Sequence, residues 1–303
     1  MASAVAVFIV ASIAMLQRKE PFYSWFYSFA WWSYIVFIEA FLCARGGTSL
    51  LFGSPRVFVS LLPLSVTIWL IFEALNFRLQ NWHYVDITPH LGLRWPGYAI
   101  AFATVVPGIF ATKHLLEYKG FFKASQTAPI RPHALTRTML VLGLLFLVLP
   151  IVKPRVFFPL VWGAFIFLLE PINYHMGGRS LLRDWQSGSL REFYLLLLAG
   201  LCCGFLWEFW NFWAGSKWIY TVPHVGWLKI FEMPILGFLG FPPFAVECYV
   251  MVNSFLLLDQ WLKQNRPPRL RRRVWLVIVS LAGVFDLLVF MGIDHFTVIS
   301  FAR

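Results

Sequence analysis

Apolar stretches long enough to cross about 30 Å of hydrocarbon recur along the whole chain, separated by short polar turns. Their pattern predicts nine helices, over about 2–16, 22–43, 56–77, 96–113, 135–150, 156–174, 191–213, 234–262 and 273–293. The first and fifth are the shortest. No basic residue precedes the first apolar run, so it reads as a retained helix rather than a cleaved signal peptide.

The polar positions inside these stretches form a second pattern, in which residues 38–91 are echoed by residues 169–225. Glu39, Gly46-Gly47 and Ser49-Leu50-Leu51 reappear at the same spacing as Glu170, Gly177-Gly178 and Ser180-Leu181-Leu182. Glu73, Asn76 and Phe77 are matched by Glu208, Asn211 and Phe212, and Trp31 by Trp162. Trp82-x-Tyr84 and Pro89-His90 are matched by Trp218-x-Tyr220 and Pro223-His224. A single such match arises by chance; six in one order indicate a duplication. The period is four helices, an even number, so both copies share one orientation and should be related by a pseudo-two-fold axis along the membrane normal. The expected organisation is a first membrane repeat over 1–125, a second over 126–263, and a basic loop with a final helix over 264–303.

Composition agrees with an all-α integral membrane protein. The chain is 59% hydrophobic and 13% charged, with mean hydropathy +0.70, and it leaves no stretch for a soluble domain. The net charge of +11 could suggest nucleic acid, but its distribution argues against that. Most Lys and Arg fall in the loops on one side, including the run Arg266, Arg269, Arg271, Arg272, Arg273 before the last helix. By the positive-inside bias that side is cytoplasmic and includes the amino terminus, with the basic residues facing anionic lipid headgroups. A bacterial inner (plasma) membrane is the expected location. The four cysteines, Cys43, Cys202, Cys203 and Cys248, lie in apolar segments without metal-ligand or disulfide spacing and read as small core hydrophobes.

Candidate chemistry is concentrated in the duplicated acids. Glu73 and Asn76 share one helical face, as do Glu208 and Asn211. An acid at mid-bilayer costs about 2.5–3.5 kcal/mol, so it should find a cation or remain protonated. One such pair reads as a helix cross-link; two in symmetric copies, each followed by a Trp-x-Tyr loop, favour a site. Aromatics make up 19% of the chain, with 15 Trp and 32 Phe, and interfacial belts account for most of them. They account less well for Phe205-Leu-Trp207-Glu208-Phe209-Trp210-Asn211-Phe212-Trp213, where π faces surround an acid and could hold a cation. His90 and His224 read as solvated loop residues, with a catalytic or orienting role as the alternative, and Asn173 with His175 lacks metal-site company. No P-loop, GxGxxG or GxSxG occurs, so no nucleotide cofactor and no serine hydrolysis is expected.

These residues resemble the membrane-type lycopene cyclases, which occur as two small subunits or one fused tandem chain. The shared pattern is an acid late in a helix, a Trp-x-aromatic motif after it, and a proline-led start of the next helix. In the first copy Glu73 leads to Trp82-x-Tyr84, then Trp95-Pro96 and Pro107. In the second Trp207-Glu208 leads to Trp218-x-Tyr220, then Met233-Pro234 and Pro243. The resemblance covers roughly 56–112 and 191–255. It departs after the prolines, where the family carries paired acids: Pro96 is followed by Gly97-Tyr98-Ala99 and Pro234 by Ile235-Leu236-Gly237.

The resemblance implies redox-neutral, acid-catalysed cyclisation of a long isoprenoid or carotenoid-like lipid, without metal or cofactor. Glu208 and Glu73 are then the expected acids, Asn211 and Asn76 their orienting partners, and Glu232 the base, with His224 beside them. Trp207, Trp210, Trp218, Tyr220, Trp82, Tyr84, Glu170 and Glu247 are the expected substrate-binding residues. A transporter or lipid-handling protein with duplicated intramembrane acids is a rival reading, and a non-catalytic membrane scaffold is a third.

Overall fold

The computed structural model describes residues 1–299. Its long helices are α1 (Ala2–Leu16), α2 (Phe26–Ala44), α3 (Pro55–Leu79), α4 (Leu91–Phe102), α5 (Val105–Tyr118), α6 (Pro132–Val152), α7 (Ala164–His175), α8 (Arg191–Trp213), α9 (Phe241–Asn265) and α10 (Pro268–Phe296). Helices α4 and α5 together form one span, α7 is extended at its start by turns from Pro154, and α9 by a turn from Ile235. Among the described residues, eight helical segments are thereby long and apolar enough to cross a membrane. The fifteen-residue α1 rises only about 22 Å, less than the hydrocarbon thickness. The protein is an all-α membrane protein, and its apolar periphery is what hydrocarbon requires: Val141, Leu144, Val279, Leu281 and Leu288 on α6 and α10 are all exposed.

The duplicated polar residues recur as duplicated hydrogen bonds. At the ends of α2 and α7 the chain closes on a glycine with positive φ, Gly46 (φ 70°) or Gly177 (φ 80°), which accommodates the left-handed turn without a Cβ clash. Gly47 N then donates to Leu42 O at 2.8 Å, and Gly178 N to Asn173 O at 2.9 Å. The buried Glu39 accepts from Ser49 Oγ at 2.6 Å and Leu51 N at 3.0 Å. Glu170 accepts from Ser180 Oγ at 2.5 Å and Leu182 N at 2.9 Å. Each serine also caps the short helix it begins. Glu39 and Glu170 therefore fasten helix ends.

Two short strands, β1 (Trp82–Val85) and β2 (Lys217–Tyr220), one from each copy, pair antiparallel. Trp82 stands opposite Tyr220 and Tyr84 opposite Trp218, so equivalent residues exchange places across a centre at His83 and Ile219. The core repeats this exchange. Trp31 packs on Trp207 of the other copy with ring centroids 5.5 Å apart, and Trp162 packs on Phe72, also at 5.5 Å. Trp31, Phe72 and Phe244 are among the largest fully buried side chains and sit at this junction.

Several boundaries differ from the sequence expectation. The helix expected to open at Pro96 begins five residues earlier, at Leu91, and Pro96 lies inside it. That span breaks at Ala103–Thr104, where Ser65 Oγ donates to Phe102 O at 2.7 Å and accepts from Val106 N at 3.0 Å, satisfying backbone groups freed by the break. Pro234 does not start a helix. It belongs to a two-residue bridge with Lys229–Ile230, and α9 starts after Gly240 with Pro242 and Pro243 in its first turn. Cys43 is exposed and Cys202 half-buried, so only Cys203 and Cys248 are core residues; all four are free thiols. The expected final segment 264–303 includes residues 300–303, which lie outside those described.

Candidate functional site

A cavity of about 170 Å³ lies at the junction, beside the paired strands. Trp25, Tyr27 and Ser28 border it from the start of α2, and Tyr98 and Phe102 from α4. Trp69 of α3, Trp162 before α7, Trp207 of α8 and Phe244 of α9 wall it from the helices. Trp82, Tyr84, Trp218 and Tyr220 come from the strands. Its polar residues belong mostly to the loops, Asn81, Thr88 and Ser216, with Lys217 at the start of β2 and Arg94 at the start of α4. Both charged lining residues are ion-paired, Arg94 with Asp294 at 2.7 Å and Lys217 with Glu232 at 2.8 Å.

The duplicated acids stand immediately behind this aromatic wall. Glu73 is fully buried, and its Oε1 accepts from the Tyr84 hydroxyl at 2.5 Å, Trp69 Nε1 at 2.9 Å and Trp82 Nε1 at 3.1 Å. Glu208, equally buried, accepts from the Tyr220 hydroxyl at 2.8 Å. Among the described residues neither acid joins a salt bridge, and the second oxygen of each has no hydrogen-bond partner. Burial, reinforced by the adjacent carboxyl, pushes the Tyr84 and Tyr220 phenols above their ordinary range, so both remain hydrogen-bond donors.

The two copies differ four residues before the acid. Trp69 gives Glu73 a donor, but the equivalent position in α8 is Gly204. There the Phe241 ring occupies the space where a Cβ would stand. Glu73 therefore has three side-chain donors and Glu208 one.

Asn76 and Asn211 do not orient the acids directly, as the sequence suggested. Asn76 Nδ2 donates to Trp82 O at 2.9 Å and its Oδ1 accepts from Asn81 N at 2.8 Å. Asn211 Nδ2 donates to Trp218 O at 2.8 Å and its Oδ1 accepts from Trp218 N at 2.9 Å. Both amides hold a strand in place, and the strand's tyrosine meets the acid. An amide supplies both the donor and the acceptor that an exposed strand edge lacks, which a carboxylate cannot do.

Of the expected substrate-binding residues, Trp207, Trp218, Tyr220, Trp82 and Tyr84 line the cavity. Trp210 does not; it packs on Trp31 with centroids 4.9 Å apart. Glu170, in the second half of α7, lies outside the lining and is held by the Ser180 turn. Glu247 accepts from Phe165 N at 2.9 Å, satisfying the first turn of α7. Glu232 is held by Lys217 outside the lining. His224 is exposed on a left-handed turn (φ 66°), and His90 is exposed at the start of α4.

Sequence reasoning missed Trp69, although its spacing from Glu73 puts both on one helical face. It also missed Arg94 and Asp294. Asp294 of α10 accepts from Arg94, from Trp95 Nε1 at 2.9 Å and from Tyr98 OH at 3.2 Å, and no periodicity links positions so far apart. No cluster of His, Cys, Asp and Glu suited to a metal ion occurs among the described residues. No protein-family model, curated protein or solved structure matches this chain.

Proposed function

We propose that this membrane protein takes one end of a long, unsaturated isoprenoid-type lipid into the junction cavity and cyclises it without net redox change. The observation that carries this reading is the cavity wall itself. Trp, Tyr and Phe from both copies enclose a space, and each copy places one buried carboxyl directly behind a cavity-lining tyrosine. A cavity of about 170 Å³ is close to the roughly 150 Å³ that holds a benzene ring, and smaller than the roughly 300–1,000 Å³ of pockets that enclose whole ligands. It suits a ring-sized end group.

In the proposed reaction a proton adds to a terminal double bond and the resulting cation is attacked by a neighbouring double bond, forming the ring's carbon–carbon bond. A proton is then lost from an adjacent carbon, restoring one double bond. The cycle starts with Glu73 protonated and Glu208 ionised. The Tyr84 hydroxyl turns from Glu73 to the alkene and gives up its proton while Glu73 passes its own to the phenolic oxygen. Glu208 receives the second proton through the Tyr220 hydroxyl. Exchange with water then reprotonates Glu73 and deprotonates Glu208. Trp69, Trp82, Trp207 and Phe244 face the cation, each contributing about 0.5–2 kcal/mol. The membrane is proposed to be a bacterial inner membrane, with the loops around residues 125 and 268, on the side richer in Lys and Arg, facing the cytoplasm.

Lipid extracts from cells expressing wild type, Glu73→Gln, Glu208→Gln, Tyr84→Phe and Tyr220→Phe, analysed by mass spectrometry, test this. Wild type should yield a product of unchanged mass and altered retention, and each variant should reduce it at least tenfold. A folded Glu73→Gln, Glu208→Gln double variant that still forms product at the wild-type rate would exclude both acids.

A second reading is a lipid carrier without chemistry. The complete burial of both carboxyls favours it, since neither touches the cavity space directly. It requires the double variant to co-purify with the same lipid as wild type and no product to form in either.

A further inference from the structure

The cavity holds an end group, so the rest of a long lipid must run elsewhere. A second depression, of about 420 Å³, lies between α1, α2 and α4. Ser3, Ala4 and Val7 of α1 form one side and Ile100 of α4 the other, with Phe29, Trp32, Ser33 and Val36 of α2 between them. The Trp32 indole donates to Ile100 O at 3.2 Å, tying α2 to α4 along it. No charged residue lines this groove, and Val7 and Ile100 are exposed at the apolar periphery.

The groove and the cavity share Trp25 and Ser28, which line both. Trp25 packs against Gly97, where a Cβ would lie 3.3 Å from Trp25 Cζ2. A single indole resting on a glycine thus stands between the hydrocarbon-facing groove and the aromatic cavity. The eleven helical steps from Trp25 to Val36 give the groove a length of about 16 Å at 1.5 Å per step.

We infer that the groove is the chain subsite and lateral portal of the same site: a long isoprenoid places one end in the cavity and lays the rest along α2 between α1 and α4, passing Trp25. This rests on the lipid-binding reading above. Continuity at Trp25 and Ser28, the apolar lining and the ring-sized cavity together select the remainder of that chain as the occupant.

Geraniol and geranylgeraniol share a head and differ in chain length. Their binding to purified full-length protein can be followed by native mass spectrometry from detergent. Val36→Phe and Val7→Phe fill the groove, Ala101→Phe fills the cavity, and Leu281→Phe on the lipid-facing side of α10 is the control. Val7 is exposed, so its variant tests the groove even where Val36→Phe does not fold. The inference expects Val36→Phe and Val7→Phe to weaken geranylgeraniol at least tenfold while leaving geraniol unchanged. Ala101→Phe should weaken both, and Leu281→Phe neither. Loss of geraniol in Ala101→Phe with geranylgeraniol indifferent to both groove variants would overturn the groove alone. Geraniol binding that ignores Ala101→Phe, or no binding of either lipid to wild type, would overturn the cavity reading and the groove with it.

Discussion

At the scale of residues, the two buried acids share one environment but not one set of donors. Removing the Tyr220 hydroxyl takes away the side-chain donor of Glu208, whereas removing that of Tyr84 leaves Glu73 with two indoles. A buried polar group left unpaired costs about 1–3 kcal/mol, while losing one of several bonds costs nearer 1. Tyr220→Phe should therefore lower the melting temperature in detergent more than Tyr84→Phe does. Equal shifts would mean that Glu208 has support beyond Tyr220. The Glu39–Ser49 and Glu170–Ser180 pairs belong to this scale too, and they show how a duplicated acid can be duplicated for its fold alone.

At the scale of elements, α8 and α9 approach closely at a glycine. A Cβ on Gly200 would lie 2.5 Å from Phe241 O and 2.8 Å from Ala245 Cβ, contacts that require backbone to move. Overpacking of this kind costs about 1–3 kcal/mol, so Gly200→Ala should destabilise despite alanine's better helix propensity. Gly283→Ala on α10, with nothing within 4 Å, should be neutral or stabilising in the same thermal assay. The β1–β2 ladder supplies a pH dependence. Burial holds His83 below its usual value of 6.5, and the ring bonds Thr221 Oγ1 at 3.2 Å. A depressed folded-state value leaves stability intact above about pH 6.5 and removes it as the pH falls through the folded value. Wild type should therefore lose more thermal stability between pH 7 and pH 5 than His83→Gln does. Parallel profiles would show that this imidazole does not report on the ladder.

At the scale of the whole molecule, orientation follows from charge and span number. Reporter fusions after residues 125 and 268, which four spans separate, should both report the same side, and that side, the richer in Lys and Arg, should be the cytoplasm. If either reports the far side, the cavity opens on the other face of the membrane. Helix α10 belongs to neither copy, yet Asp286 accepts from Thr67 Oγ1 at 3.0 Å and Asp294 secures Arg94, Trp95 and Tyr98. The helix outside the duplication thus stiffens the first copy's side of the cavity.

Hydropathy alone located the spans, because the hydrocarbon thickness sets a length that a sequence must satisfy wherever its helices pack. The spacing of Glu, Gly-Gly, Ser and Trp-x-Tyr likewise revealed the duplication, since local turns and caps are made by residues close in sequence. Five of the aromatic lining residues were legible for the same reason. Tertiary structure alone decided what each acid does: Glu170 and Glu247 satisfy backbone groups at helix ends, while Glu73 and Glu208 meet tyrosines on strands. It also decided that Asn76 and Asn211 hold those strands, that α9 starts at Pro242-Pro243 rather than at Pro234, and that Asp294 reaches Arg94. A buried polar side chain is drawn to whichever unsatisfied partner the packing brings near, and partners such as Asp294 and Arg94 lie too far apart in the chain for any local pattern to record.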